Sequence, residues 1–430
     1  MTHLPLGIGA YKRAFAGAPE TRLENRYVEK SPSNLQSGAT LLGRAGSNSL
    51  TQLAGGTNRG AYSKLGLFNG DLFVVQGHNL WRVSATTGVA TQITGTIAGD
   101  GFPYATWMKG IGYEYLFISD GSTLQYFTEH AQGVWTLTGN VQEGMVIKIG
   151  TAYYGWSATV EKNSPAGTSS NPYWALLASG GASTQANNAQ SLANMVLAIM
   201  NSGFAGVDYS AEILSPDADV TATSTDTTLT VTAIDNTTAG NSISTTTPVD
   251  GSGAGAWGAT SLQGGGGTVL RTVTGMGDDE VAKAVASVSG YVLVSVGNTQ
   301  KFYWLNPGEV VIDPLNFAEK ESNPDNILDM LTVGDQVLIC GNGSAENWYA
   351  TGNLTEPFAP IEGRVYARGV VEGTPTVVDD GVMLVGNDGV VYQVGYTAGG
   401  AAQWGVHRVS NTGIEERIRT QLRREGLLPP

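Results

Sequence analysis

The chain has 430 residues, 41% of them hydrophobic and 59 of them glycine, and its 37 acidic against 23 basic side chains leave a net charge of −14. That balance argues against a protein that grips nucleic acid by neutralising phosphates, which needs clustered Lys and Arg; it fits an ordinary acidic surface at least as well as a wall past which a duplex slides. Cys340 is the only cysteine, which excludes an intrachain disulfide and a thiolate metal cluster; its VLIC setting reads as a buried strand. No apolar run approaches the roughly 18 residues of a membrane span, and MTHLPLGIGAYKRAFAGAPE lacks the apolar stretch of an export signal, so folding in a cytoplasm is expected.

From the N-terminus the clearest order is a repeated unit: a short apolar strand, a glycine-containing turn, then an aromatic strand. It occurs as DLFVVQGHNLWRV from Asp71 and EYLFISDGSTLQYF from Glu114, then as YVLVSVGNTQKFYWL from Tyr291, DQVLICGNGSAENWY from Asp335 and GVMLVGNDGVVYQVG from Gly381. Val74, Phe117, Val294, Ile339 and Leu384 are comparable positions, with steps of 43, 177, 45 and 45 residues. Periods of about 40 to 50 residues with several strands each are those of propeller blades, because one four-stranded sheet buries both faces only against neighbours. The long step is one blade plus an insertion.

Composition places that insertion at 140–267, where the aromatic rhythm gives way to Ser, Thr, Ala and Gly. SLANMVLAIM from Ser191 puts Leu192, Met195, Val196 and Ile199 on one helical face. DVTATS from Asp219 and TLTVTAI from Thr228 alternate with period two and predict two strands. The segment SGAGAWGATSLQGGGG from Ser252 reads as a flexible return to the host fold. The predicted organisation is mainly β: a β-propeller-like host with N-terminal segment and first blades over 1–139, a small α+β domain over 140–267, the remaining blades over 268–410, and a short C-terminal helix over 411–430.

At that last helix, Thr412 and Glu415 match the T-x-x-E capping box, and Ile414, Ile418 and Leu422 recur every four residues. Arg417, Arg419, Arg423 and Arg424 make the helix basic, which fits docking on an acidic neighbour or DNA as well as favourable charge near a helix C-terminus.

No chemistry-bearing pattern emerges. His3, His78, His130 and His407 are too scattered for a metal motif, and His78 reads as a turn residue. Asp100, Asp120 and Asp388 lie beside glycines, as turn carboxylates do; Asp278–Glu280 and Asp379–Asp380 form local acidic clusters. Two facing carboxylates for glycoside hydrolysis cannot be assigned, and nucleophile elbows, phosphate loops and dinucleotide fingerprints are missing. The expectation is no catalytic residue, no metal and no cofactor.

The stretch from Glu321 to Glu415 resembles the packaged-DNA stabilisation, or tail nozzle, family of short-tailed phages. It carries ESNPDNIL, GDQVLICGNGSAENWYATG, PFAPIEGRVYARG, DDGVMLVGNDGVVYQVG and HRVSNTGIEERI. The family's G-x-S-x-E-x-W-Y-x-T-G string falls on Ser344, Glu346, Trp348, Tyr349, Thr351 and Gly352, with Asn342 and Gly343 ahead of them. Near the N-terminus NRYVEK from Asn25 and LLGRAG from Leu41 are similar to the family's opening segment. The insertion resembles small decoration domains of other phage tail proteins.

The resemblance implies a virion tail subunit assembled in the bacterial cytoplasm, arranged as a homo-hexameric ring below the portal and adaptor, meeting fibre or plug proteins and passing double-stranded DNA without base-specific contacts. Candidate channel or contact loops are Gly77, His78 and Asn79, Asp120 and Gly121, Asn342 and Gly343, and Asn387 and Asp388. Relatives usually continue beyond the helix that Ile414 begins, which leaves blade count and closure open. The rival reading is a tail-tip or fibre-adaptor module that binds a host-surface glycan.

Overall fold

The computed structural model describes residues 26–30, 39–43, 53–64, 66–110, 113–160, 167–178, 185–249, 254–320, 323–353, 356–378, 381–396, 404–424 and 426. Of the stretches quoted above, residues 1–20 with His3, 25, 44–46, 252–253, 321–322, 379–380 and 427–430 lie outside them. The chain divides into two compact units, one of residues 1–52, 331–349 and 359–430, the other of 53–330 and 350–358.

Strands β1 (Arg26–Lys30) and β2 (Ala39–Gly43) form an antiparallel pair. β3 (Asn58–Tyr62), β4 (Leu72–Gln76), β5 (Asn79–Val83) and β6 (Ala90–Ile93) make a four-stranded antiparallel meander. β7 (Tyr104–Gly110), β8 (Tyr113–Ser119) and β9 (Leu124–Phe127) begin a second. The chain then leaves it through β10 (Gln132–Leu137), β11 (Val146–Ile149), β12 (Ala152–Ser157), β13 (Tyr173–Leu176), helix α1 (Gln185–Met200), β14 (Val220–Ser224), β15 (Thr228–Ala233), β16 (Thr245–Val249) and β17 (Gly255–Trp257). β18 (Leu270–Thr272) returns to pair with β9 and completes the second sheet.

Three more meanders follow in chain order. They are β19 (Ala282–Val288), β20 (Tyr291–Val296), β21 (Lys301–Leu305) and β22 (Phe317–Glu319); β23 (Ile327–Val333), β24 (Gln336–Gly341), β25 (Ala345–Ala350) and β26 (Phe358–Tyr366); and β27 (Thr376–Val378), β28 (Gly381–Val385), β29 (Val391–Tyr396) and β30 (Trp404–Arg408). Helix α2 (Thr412–Arg424) comes last.

The predicted repeat is this series of five meanders among the described residues. Val74, Phe117, Val294, Ile339 and Leu384 each lie on the second strand of their sheet, and none is more than 4% exposed. Buried on both sheet faces, these strands read as continuous apolar runs, and each such side chain contributes about 1.5–3 kcal/mol. The first two blades meet over an aromatic cluster, in which the Phe73 and Phe127 rings are 5.0 Å apart and Phe68 lies 5.3 Å from Phe127. The fold is a mainly β, propeller-type series of four-stranded sheets with a short C-terminal helix.

The inserted segment has a hydrophobic core of its own. One sheet runs β14-β15-β10-β17 and the other β13-β12-β11-β16. Trp135 and Trp156 face each other between them, rings 5.4 Å apart, and Leu192, Met195 and Ile199 of α1 are fully buried in the same cluster with Val196 at its edge.

Two expectations need correction here. β10 precedes the compositional boundary at 140 but pairs with β15 and β17, so the inserted segment takes in that strand; QGVWTL carries the same aromatic signal as a blade strand, which hides the boundary. The glycine-rich return is also no slack linker in its described part. Gly255–Trp257 pairs with β10, and Gly255 lies so close against the Trp135 indole that a Cβ would collide with it. Glycine is there for close packing.

Candidate functional site

The tips joining second to third strands make a recurrent contact. In an antiparallel meander this tip and the entry of the first strand share one end of the sheet. In the larger unit, Ile97 N–H donates to the His78 carbonyl (2.9 Å), Gly121 and Ala282 exchange bonds through Ala282 O and Ser122 O (3.1 and 3.0 Å), and Ile327 donates to Thr299 (2.8 Å). In the other unit Val370 donates to the Gly341 carbonyl at 3.1 Å. Each tip is therefore tied to the segment that leads into the next blade.

The sequence-selected tip residues are largely occupied in this bonding. His78 Nδ1 contacts the Ile97 carbonyl at 2.8 Å, while its Nε2 lies 3.4 Å from exposed Asp100. Arg59 donates to the Gly77 carbonyl at 3.1 Å, and the Asn79 side-chain oxygen accepts from Gln92 at 3.1 Å. Asp120 is buried, accepting from Gly99 N–H at 2.5 Å and Ser122 N–H at 3.2 Å, and Gly121 takes φ 83° to close the turn. The Asn342 carbonyl accepts from Asn387 Nδ2 at 3.0 Å, and Asn387 N–H donates to Gly369 at 3.1 Å. Asp388 accepts from Val390 N–H (3.0 Å) and the Tyr392 hydroxyl (2.6 Å). Gly343 completes its turn beside Ser344, whose carbonyl accepts from Gly341 at 2.7 Å.

The family-like string occupies β25 and the turn after it. Ser344, Glu346 and Trp348 are buried, and Glu346 pairs in register with Ile339. Both Glu346 carboxylate oxygens are enclosed without a hydrogen-bond partner. Tyr349 is 41% exposed. Thr351 donates from its hydroxyl to the Glu356 carbonyl (2.7 Å), and Gly352 takes φ 77°. The string is strand and turn chemistry in one blade.

Helix α2 is held by one buried carboxylate. Glu415, 2% exposed, receives Arg408 Nε and Nη2 at 2.6 Å each and the Ser410 hydroxyl at 2.8 Å. Burial alone would raise its carboxyl, but the Ser410 hydroxyl and the Arg408 guanidinium outweigh burial and hold it below the usual carboxylate value. The expected capping box is not formed. Asn411 caps the helix, its side chain accepting from Ile414 N–H at 3.1 Å, which leaves Glu415 free for Arg408. Arg417, Arg423 and Arg424 are exposed, Ile414 is 39% exposed, and Arg419 turns back onto the last blade.

A buried polar node at the root of the insertion escaped sequence reasoning. Gln132 Nε2 donates to the Tyr115 hydroxyl (2.7 Å) and to Thr232 Oγ1 (2.9 Å), while its Oε1 accepts from the Tyr126 hydroxyl (2.8 Å) and Arg271 (2.7 Å). Burial pushes both tyrosine hydroxyls up, so they stay protonated, Tyr115 accepting from Gln132 and Tyr126 donating to it. Glu280, from the acidic cluster, pairs with Lys301 at 2.9 Å and accepts from the Tyr303 hydroxyl at 2.7 Å. Among the described residues no group of three His, Cys, Asp or Glu could hold a metal ion.

Comparison with known proteins bears on the C-terminal blades. Residues 268–424 match the family model described as Phage_stabilise, Bacteriophage P22 Gp10, beta-propeller. No curated protein matches the chain. Among solved structures, the β-propeller domain of Myceliophteria thermophila Cps50 (Swd1) is 9% identical, covering 83% of this chain and 87% of that one at a TM-score of 0.31. YCF48 bound to D1 peptide is 10% identical, covering 86% and 88% at a TM-score of 0.28. Residues 268–424, which hold the last three meanders and α2, are thus similar to the phage stabilisation family of β-propellers.

Proposed function

We propose that this protein is a non-enzymatic structural subunit of a short phage tail, assembled in the bacterial cytoplasm into a six-membered ring below the portal and adaptor. In that place it extends the DNA channel, helps retain the packaged genome and conducts it during ejection. The observation that carries the reading is the family match over residues 268–424. The net charge of −14 supports it, because a like-charged wall lets a duplex slide where a basic wall would bind it.

A closed ring needs two different faces of each subunit in contact. The hairpin tips at Gly77–Asn79, Asp120–Gly121, Asn342–Gly343 and Asn387–Asp388 are the candidates for lumen or neighbour contacts. Exposed Arg417, Arg423 and Arg424 are candidates for an acidic neighbour, with adaptor, fibre or plug proteins the expected partners.

Cryo-electron microscopy of the intact virion tail tests this. Six copies around the axial channel are expected. Density confined to peripheral fibres, or none in virions, overturns the proposal.

A further inference from the structure

The inserted segment has an open cleft of about 400 Å³, lined by none of the hairpin-tip or α2 residues named so far. Its wall includes Tyr154 and Tyr173, whose rings are 5.6 Å apart and inclined at 45°. Glu212, Asp217 and Asp219 line the same space, and Leu214, 86% exposed, forms part of its rim.

Asp217 is held in place from two sides. The Tyr154 hydroxyl donates to its Oδ2 at 2.7 Å, and Asp219 N–H donates to its Oδ1 at 2.9 Å. The loop carrying it is anchored to α1 by Asp217 N–H donating to the Ile199 carbonyl at 2.8 Å. The cleft is thus built on an ordered wall, with Glu212 and Asp219 exposed beside it.

What such a cleft accepts follows from its chemistry. Ionised carboxylates only accept hydrogen bonds, so the ligand must present several donors. The lining has no Lys, Arg or His, which disfavours phosphates, sialic acids and other anions by charge. Tyrosine rings and an exposed leucine offer apolar surface to the C–H face of a ring while the carboxylates take its hydroxyls. The volume is at the small end of ligand pockets, room for one or two sugar units.

We propose that this cleft is a binding site for a neutral mono- or disaccharide. The ring proposed above does not depend on it: a tail subunit can carry an accessory sugar site on an inserted segment, and either reading can fail alone.

Saturation-transfer NMR on the full chain tests it, with a panel of glucose, galactose, mannose and N-acetylglucosamine and their homodisaccharides at millimolar concentration. Transfer to at least one neutral sugar is expected. Glu212→Gln and Asp219→Asn, both at exposed positions, should weaken that sugar about tenfold each, the effect of losing a hydrogen bond to a charged group, without moving the melting temperature. Tyr173→Ala should abolish transfer.

No transfer from any panel member overturns the proposal, as does transfer that survives all three substitutions. Equal binding of sialyllactose would overturn the charge argument. Stabilisation by calcium alone would make the carboxylates a cation site instead.

Discussion

Arg419 of α2 donates from its Nε to the backbone carbonyl of Asp388, 2.9 Å away at the tip between β28 and β29. In earlier blades that tip is bonded to the chain leading into the next blade, as Gly341 is by Val370. After the last blade the helix makes the contact through a side chain. Arg419→Ala should therefore loosen α2, costing about 1 kcal/mol, whereas Arg417→Ala, at an exposed position, should cost nothing measurable. Amide hydrogen exchange across residues 412–424 reads the difference.

Acid should release the same helix. Glu415 has its carboxyl held below the usual value in the folded chain, so its stabilisation is complete above the unfolded carboxyl value of about 4.5 and is lost as pH falls through the lower folded one. Glu415→Gln should remove that acid sensitivity and destabilise α2 at neutral pH by about 1–3 kcal/mol, since Arg408 loses its bidentate partner. A pH series of exchange protection in α2 checks both.

Glu309 should act in the opposite sense. It is 8% exposed after β21, and burial pushes its carboxyl up to about 7, against hydrogen bonds from Asn306 and with the charges of Asp313 and Asp226 adding to the rise. A carboxyl raised on folding stabilises fully below its unfolded value, near 4.5, and loses that contribution as pH rises towards 7. Thermal melting should show the protein losing stability from pH 5 to 8 at this site. Glu309→Gln should flatten that slope, raise the melting temperature at pH 8 and add stability there on the order of 2 kcal/mol.

The contrast between these carboxylates marks how far the sequence could be read. The second strands at Val74, Phe117, Val294, Ile339 and Leu384 were legible because a local pattern repeats: apolar run, glycine turn, aromatic strand. α1 was legible because Leu192, Met195 and Ile199 recur at helical spacing. Glu309 was not, because its burial is a property of the folded chain and the Asp226 charge that adds to its rise comes from more than 80 positions away. The cap of α2 was misplaced by one residue because Asn411 and Thr412 are both good caps, and Arg408 decides between them by claiming Glu415. The cleft of the inserted segment was equally hidden, since Tyr154, Tyr173 and Asp217 converge from three separate loops and strands.

Glu346 offers a sharper test of what the family-like string is for. A carboxylate enclosed with neither oxygen hydrogen-bonded costs folding free energy. Glu346→Gln keeps the shape and removes the charge, so the isolated protein should become more stable, by about 1–2 kcal/mol. If the string serves assembly, the stabilised variant should form rings less well; size-exclusion chromatography with light scattering, beside chemical denaturation, reads the two effects separately. A loss of stability would show that the glutamate is satisfied in solution and sink this prediction.

The inserted segment should unfold as a unit of its own. Its core is made of residues between Ala131 and Leu262 and includes Trp135, Trp156 and the buried face of α1. Met195→Ala leaves a cavity there and should cost about 2–5 kcal/mol locally. Because Met195 is fully buried within that cluster and the blades have separate apolar contacts, exchange protection should fall across β10–β17 and α1 while β19–β22 keeps theirs. Gln132→Leu is the complementary variant. It strips the bonds to Tyr115, Tyr126, Thr232 and Arg271 at the root, so it should loosen the attachment of the segment to β8 and β9 more than the core around Trp156. Equal loss of protection throughout the 53–330 unit in both variants would mean that insertion and blades fold as one cooperative body.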